Sequence, residues 1–487
     1  MKTFTPTDEA CQLLLEGTLA LSEIEGHGIR IDRDYLEKAL TDTAEQIKSL
    51  EQKMRQDDDY RLWSRQFGDR TNLASAEQLA TIVFTEKGHK SKVKTKSGKR
   101  ASASEKALEG INLPIVKMYL EMQHLRKGRD TFLVGIHREI VQHQDGDWYS
   151  HPVYHHNVVS SFRSSCSDFN VQNQPNRMPM LAEMIRKSML PRRGNQILEF
   201  DYAQQEVRIS ECYHLDPTMK EYIESGKDMH MDVAKQVFLL EENQVTKAIR
   251  HLAKNQVTFP FFYGSFYAKI APNVWDMMSD LKLKDSTVLL RDHLRDKGIE
   301  ELGNCDPQLS PIKNTFEDHL KEMEADFWGE RFPVYGQWRK DWVSAYQRDG
   351  GCQFKTGFIM TGPHARNDIT NYAIQGSAYH CLLKAIITIN RTLKKYKMGS
   401  RIIAQIHDCV VMDVVPSERE DVIFIVRDAM VRCVMRDWKW INVPLECEVE
   451  SCPVDRSWFD KMSLVERGGK WVPADEAKWQ KLYGSWA

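Results

Sequence analysis

The stretch Ile197-Leu198-Glu199-Phe200-Asp201-Tyr202-Ala203-Gln204-Gln205-Glu206-Val207-Arg208 carries an apolar segment into an aspartate. A glutamate follows five residues later, at the start of a helical pattern. Far downstream, Gln405-Ile406-His407-Asp408-Cys409-Val410-Val411 sets a second aspartate between two apolar strands. Two carboxylates delivered by strand ends, distant in sequence, suit a two-metal phosphoryl-transfer site. Mg²⁺ takes hard oxygen ligands in near-octahedral geometry and retains some water, so its donors must sit on rigid backbone. Between the aspartates lies Arg250-His251-Leu252-Ala253-Lys254, followed by Phe259 and Tyr263-Gly264. That segment is cationic and able to grip a triphosphate.

In this order and spacing the three motifs resemble the polymerase domain of family A DNA polymerases, the DNA polymerase I group. The residues around Asp201 resemble Asp-Tyr-Ser-Gln-x-Glu-x-Arg, and His407-Asp408 resembles the His-Asp-Glu turn. Arg250 and Lys254 with Tyr263-Gly264 resemble the nucleotide-binding helix. The resemblance covers roughly residues 10 to 460 and leans toward a bacteriophage branch. It implies an α+β right-hand fold: a palm with an antiparallel sheet, helical fingers and a helical thumb. It also implies two Mg²⁺ ions, for which Mn²⁺ can substitute, held by Asp201, Asp408 and the backbone carbonyl of Tyr202. Arg250 and Lys254 would neutralise the β and γ phosphates, with Lys254 a proton donor to pyrophosphate. Phe259 and Tyr263 would line the sugar and base pocket, and His230, in a step resembling Asp-Ile-His, would meet the nucleotide phosphates.

Ser161-Phe162-Arg163-Ser164-Ser165 and Asn170-Val171-Gln172-Asn173-Gln174-Pro175 resemble the family's Thr-Gly-Arg-Leu-Ser-Ser and Asn-Leu-Gln-Asn-Ile-Pro, with Phe162 for Gly and Gln174 for Ile. Arg163, Gln172 and Asn173 would then contact the minor-groove side of the primer terminus, where acceptors are nearly the same for every correct pair. Arg177 would meet a phosphate. Asn371 and Gln375 lie at i,i+4 and share one helix face. By resemblance that face meets the template strand and the terminal pair, beside His407. The basic loop holding Lys92, Lys94 and Lys96 falls where the thumb tip touches duplex backbone, a sequence-independent and salt-sensitive contact.

Four positions sharpen or disturb the match. A carboxylate at Glu206 packed against C2′ leaves no room for a 2′-hydroxyl, which argues for deoxynucleotides. Phe259, where some phage relatives have Tyr, lacks a hydroxyl to stand in for a missing 3′-OH, so dideoxynucleotides should be rejected. Cys409 stands where the family has Glu, and a thiol is a poor Mg²⁺ ligand at neutral pH. Finally, eight residues separate Lys254 from Tyr263, one or two more than in the family. In a regular helix the extra residue would rotate Arg250 and Lys254 about 100° off the face of Tyr263. A π-bulge or kink between Asn255 and Pro260 is expected to restore one face.

The elements that must hold these residues require a large molecule. At 487 residues with 41% apolar content, the chain should bury two or three cores. The net charge of −2 gives no global sign of nucleic acid, so a DNA-binding reading needs a basic cleft offset by an acidic exterior. Ten scattered cysteines with no CxxC pair read as free thiols in a reducing cytosol. No signal peptide or membrane-length apolar run is present, so a cytoplasmic location is expected, the host bacterial cytoplasm for a phage protein. The expected division is 1–145 for the N-terminal palm edge and thumb, 146–215 for the first part of the palm, read mainly as extended segments, and 216–345 for helical fingers. The second part of the palm is 346–460, and 461–487 forms an extension in which Trp471, Trp479 and Trp486 are expected to pack on the palm, the alternative being that they bind a partner.

The leading expectation is template-directed extension of a primer 3′-OH with dNTPs. The polymerase pattern begins within the first few dozen residues, so no exonuclease domain and no 3′→5′ proofreading are expected. Primer-template DNA and dNTPs are the expected partners, with a separate exonuclease, helicase-primase or processivity factor possible. Two alternatives remain: a reverse-transcribing relative, which Glu206 does not oppose, and an inactive primer-template binding subunit, for which Cys409 is the only support.

Overall fold

In a computed structural model of the chain, the described residues are 3–89, 104–108, 111–156, 158–175 and 178–486. Lys92, Lys94, Lys96 and Arg177 lie outside them. Apolar side chains gather into three cores. One, with Leu50, Met54, Ile115, Tyr119 and Met122, forms where helix Arg33–Gln56 packs on helix Pro114–Arg126. A second, with Phe238, Val257, Phe261, Phe316 and Phe332, fills a lobe of short helices. The third and largest lies beneath a six-stranded antiparallel sheet.

The strands of that sheet are β1 (Gln196–Tyr202), β2 (Arg401–Ile406), β3 (Cys409–Val414), β4 (Cys447–Ser451), β5 (Met462–Arg467) and β6 (Lys470–Pro473), in spatial order β2-β3-β1-β4-β5-β6. Alternation along β1 sends Leu198, Phe200 and Tyr202 into the core, while Glu199 and Asp201 take the opposite face. The 30-residue helix Arg366–Lys395 runs under the sheet and buries Ala378, Leu382, Ile386 and Ile389. A Cβ on Gly376 would stand 2.4 Å from the carbonyl of Ser161, so only glycine lets this helix approach the segment that bears Arg163.

The stretch 146–215 is less extended than its sequence suggests. It contains helix Pro179–Arg186, whose proline occupies the first turn, where its missing N–H costs nothing. The C-terminal residues add β5 and β6 to the sheet edge, followed by helix Glu476–Tyr483. Arg427 lies over Trp471 at 4.6 Å and Arg419 over Trp486 at 4.1 Å, so the extension packs on helix Arg419–Arg427. Among the described residues, no helix is long and apolar enough to cross a membrane.

Candidate active site

Register brings the two aspartates together. Asp201 pairs across the sheet with Cys409 on β3 and with Glu448 on β4. Ile406 pairs with Cys409, leaving His407 and Asp408 as a two-residue hairpin loop. The amide of Tyr202 donates to the carbonyl of Asp408 at 3.3 Å, which holds this turn against the end of β1. Both carboxyls titrate above the ordinary carboxylate range. Burial is the main cause for each; for Asp201 the charges of Asp408, Glu199 and Glu448 add to it, and Lys461 opposes. Asp201 Oδ1 is buried and has no hydrogen-bond partner. A buried, unpaired carboxylate oxygen beside a second carboxylate fits divalent-cation binding. No set of three or more His, Cys, Asp or Glu side chains converges among the described residues, so substrate oxygens and water would have to complete the coordination.

Asp408 and His407 line a cavity of about 370 Å³ with Arg163, Glu206, Phe259 and Tyr263. Glu206 lies in the first turn of helix Gln205–His214, which follows Gln204 in the left-handed conformation at φ 53°. Its carboxylate is ion-paired with Arg163 and accepts a hydrogen bond from the Tyr263 hydroxyl at 2.7 Å. Burial and this neighbouring carboxylate raise the Tyr263 phenol well above its usual range, so it stays protonated and donates.

The cationic helix has the predicted irregularity. Helix Lys247–Ala253 passes through a π-helical segment, Lys254–Thr258, before Phe259–Phe262 continues it. Pro260 falls in the first turn after the π segment, where its missing amide is tolerated. Lys254 Nζ lies 5.4 Å from the Phe259 ring, and the Phe259 ring is 6.3 Å from that of Tyr263. Lys254, Phe259 and Tyr263 thus form one line of contacts, while His251 and Asn255 bond each other at 2.8 Å. Arg250 forks onto Asp228, its Nη2 at 3.0 Å from Oδ1, and Asp228 caps the helix that begins at Met229. His230, buried edge-on to Phe259 at 5.5 Å, is pushed down to about 4 by desolvation and by the nearby Lys254 and Arg250 cations.

Asn371 Nδ2 donates to the carbonyl of Tyr263 at 3.3 Å, and Arg163 Nε reaches the carbonyl of Gln375 at 3.4 Å, joining that helix to the cavity wall. Gln172 is half-buried and bonded to Ser164 and Gln405, whereas Asn173 in the same 3₁₀ turn is exposed.

Several neighbours are not among the residues picked from sequence. Glu199, Glu448 and Lys461 surround Asp201 electrostatically. Glu199 accepts from Trp458 Nε1 and from Lys461, both at 2.7 Å, and Lys461 also pairs with Glu450 at 2.5 Å. Alternation along β1 could have flagged Glu199, two residues before Asp201. Lys461 and Glu448 become neighbours only through strand pairing. Cys409 is buried, and desolvation by its surroundings holds its thiol well above the usual range, so it presents no thiolate toward the aspartates.

The sequence profile of DNA polymerase family A matches residues 33–278 and 359–460, and the chain belongs to that family. The thermostable DNA polymerase I of Thermus filiformis is 27% identical over 444 residues, 90% of this chain and 47% of that protein. The DNA polymerase of Bacillus phage SP01 is 24% identical over 458 residues, 82% of this chain and 45% of its own. The chain thus spans just under half the length of these curated relatives. The fold resembles the POL domain of Pol1 from M. smegmatis, solved in complex with DNA primer-template and dNTP, at a TM-score of 0.70 and 21% identity, covering 92% of this chain and 70% of that one. This is the right-hand polymerase architecture, a palm with an antiparallel sheet together with helical fingers and thumb. Residues 279–358 lie between the two matched segments, outside the family match.

Proposed function

We propose that this chain is a template-directed DNA polymerase, extending a primer 3′-OH with dNTPs and releasing pyrophosphate. The observation that carries the reading is the juxtaposition of Asp201 and Asp408 at one end of the palm sheet, with an unpartnered buried oxygen on Asp201 and with Asp408 lining a cavity walled by Glu206, Phe259 and Tyr263. Asp201, Asp408 and the Tyr202 carbonyl would hold two Mg²⁺ ions. When bound, such ions activate the 3′-hydroxyl and neutralise charge on the triphosphate and leaving group. The primer oxygen bonds to the α-phosphorus as the α–β bridging bond breaks. Arg250 and Lys254 bind the departing phosphates, and Lys254 supplies a proton to pyrophosphate. Arg250 must first exchange its fork on Asp228 for phosphate oxygens, a trade that its bidentate geometry suits.

Glu206, held in place by Arg163 and Tyr263, excludes a ribose 2′-hydroxyl. Arg163, Gln172, Asn173, Asn371, Gln375 and His407 lie along the primer-template path, with Arg177 and Lys92, Lys94 and Lys96 on the duplex backbone. Replication of a phage genome is part of the same proposal. The test is primer extension on a DNA template with Mg²⁺, comparing dNTPs with rNTPs and the native chain with Asp408→Asn. Extension with dNTPs alone, abolished by the substitution, is the expected result. Tight primer-template binding with no extension would favour the inactive binding subunit instead, and extension on an RNA template would favour the reverse-transcribing relative.

A further inference from the structure

One buried side chain ties the turn bearing Asp408 to the segment bearing Arg163 and Gln172. It belongs to Gln405, near the end of β2, which is 0% exposed. Its Oε1 accepts from Ser164 Oγ at 2.7 Å and from Gln172 Nε2 at 2.8 Å. Its Nε2 donates to the carbonyl of His407 at 2.9 Å. The backbone of Gln405 is fixed as well. Its amide donates to the Tyr154 hydroxyl at 2.8 Å, and that hydroxyl donates to its carbonyl at 3.1 Å. β2 is the edge strand of the sheet, so Tyr154 serves in place of a neighbouring strand.

Counting hydrogens gives the arrangement a direction. Gln172 Nε2 has two N–H groups, and in this structure one goes to Ser164 Oγ at 3.0 Å and the other to Gln405. Any acceptor that this nitrogen meets on DNA must therefore take a hydrogen from that network. At the other end, His407 is held at φ 54°, a region that a non-glycine residue occupies only under constraint. The side-chain Nε2 of Gln405 donates to the carbonyl of His407, next to Asp408.

We infer that Gln405 is a positioning residue that couples the base-pair geometry at the primer terminus to the placement of Asp408; this rests on the polymerase reading above. A correct pair of any sequence presents minor-groove acceptors at nearly fixed positions, and a mismatch displaces one of them. Gln172 trades its hydrogens correctly only with the former. Gln405 then holds the His407 carbonyl, and with it the Asp408 carboxylate, in reacting position. An ångström of misplacement is worth on the order of a hundredfold in rate.

The test is single-turnover extension from matched and mismatched primer termini, protected by phosphorothioate linkages against excision, for wild type, Gln405→Met, Gln172→Met and the double variant. Gln405→Met is expected to slow matched extension by about ten- to a hundredfold at saturating dNTP, with the apparent dNTP affinity kept. The matched-to-mismatched rate ratio should fall by at least about tenfold, and the double variant should lose no more than the worse single one, because both substitutions cut one chain. Equal slowing of matched and mismatched extension, or losses that multiply in the double variant, would overturn the coupling. Should Gln405→Met fail to fold, Gln172→Met alone cuts the same chain at its less buried end and leaves Gln405 in place. It carries the same expectation, and a wild-type ratio in that variant overturns the proposal. A wild-type chain that extends no matched primer would sink the polymerase reading itself, in a separate lane of the same gel.

Discussion

Asp201 serves two opposed requirements. Its carboxylate is placed where burial and three neighbouring carboxylates all disfavour its charge, which is unfavourable for the folded chain and useful to a cation. A carboxyl whose folded pKa is raised weakens stability once pH exceeds the unfolded value. Asp201→Asn should therefore leave the unfolding free energy from urea titration at pH 8 unchanged or raise it by up to about 2 kcal/mol, while reducing primer extension at least about a thousandfold. A large loss of stability would mean that the carboxylate is a structural partner. Phe259 gives a second test at this scale. Its ring is positioned by Lys254, His230 and Tyr263 and lacks a hydroxyl. Phe259→Tyr would supply one hydrogen bond, worth about 1 to 1.5 kcal/mol, and should raise ddNTP use relative to dNTP about tenfold in a competition gel. Both aspartates and the aromatic positions were legible in the sequence, because strand ends and helix spacing are local properties. The ring of charge around Asp201 was not, because Glu448 and Lys461 reach it across strand pairings that no local pattern encodes.

The helix proposed to bind nucleotide shows what a single extra residue does to an element. Spacing called for a bulge, and the structure absorbs the residue in the π-helical turn Lys254–Thr258 while keeping Lys254, Phe259 and Tyr263 in contact. Deleting Gln256 should convert that turn to regular α-helix, leave the dNTP KM within about threefold and raise the melting temperature slightly, since π turns are the less stable form. A tenfold rise in KM would show that the bulge itself shapes the pocket. At the opposite edge of the palm, β5 pairs with β4 at Glu450 and Ser451. Removing residues 462–487 should expose that edge and the apolar surface under Trp471 and Trp486, lowering the melting temperature by several degrees and promoting aggregation, read by light scattering. The tryptophans of this extension were visible in sequence, but their strand pairing was not, because a short polar strand at an edge carries little hydrophobic pattern.

At the scale of the whole molecule, four desolvated histidines among the described residues, three of them buried and His156 half-buried, dominate the acid response. Desolvation holds His156 and His230 at about 4, and His214 and His380 at about 3, against about 6.5 in an unfolded chain. Between pH 6.5 and 4 the unfolded state thus binds more protons, and stability present above pH 6.5 is lost as pH falls. Asp201 and Asp408 act in the opposite sense, so the net slope should be about 2 to 4 kcal/mol per pH unit, read from urea midpoints at pH 7, 5.5 and 4.5. A flat profile would mean that these histidines are solvated. The sequence alone determined the family, the order of the motifs, the two aspartates and the irregular helix, because each is written in local spacing and residue type. Only the tertiary structure decided that Glu206 is tied to Arg163 and Tyr263, that a buried Gln405 joins the Arg163 segment to the Asp408 turn, and that the C-terminus extends the palm sheet. Those relations join residues tens to hundreds of positions apart, and side chains find such partners only when strand register and helix packing bring their backbones within hydrogen-bonding reach.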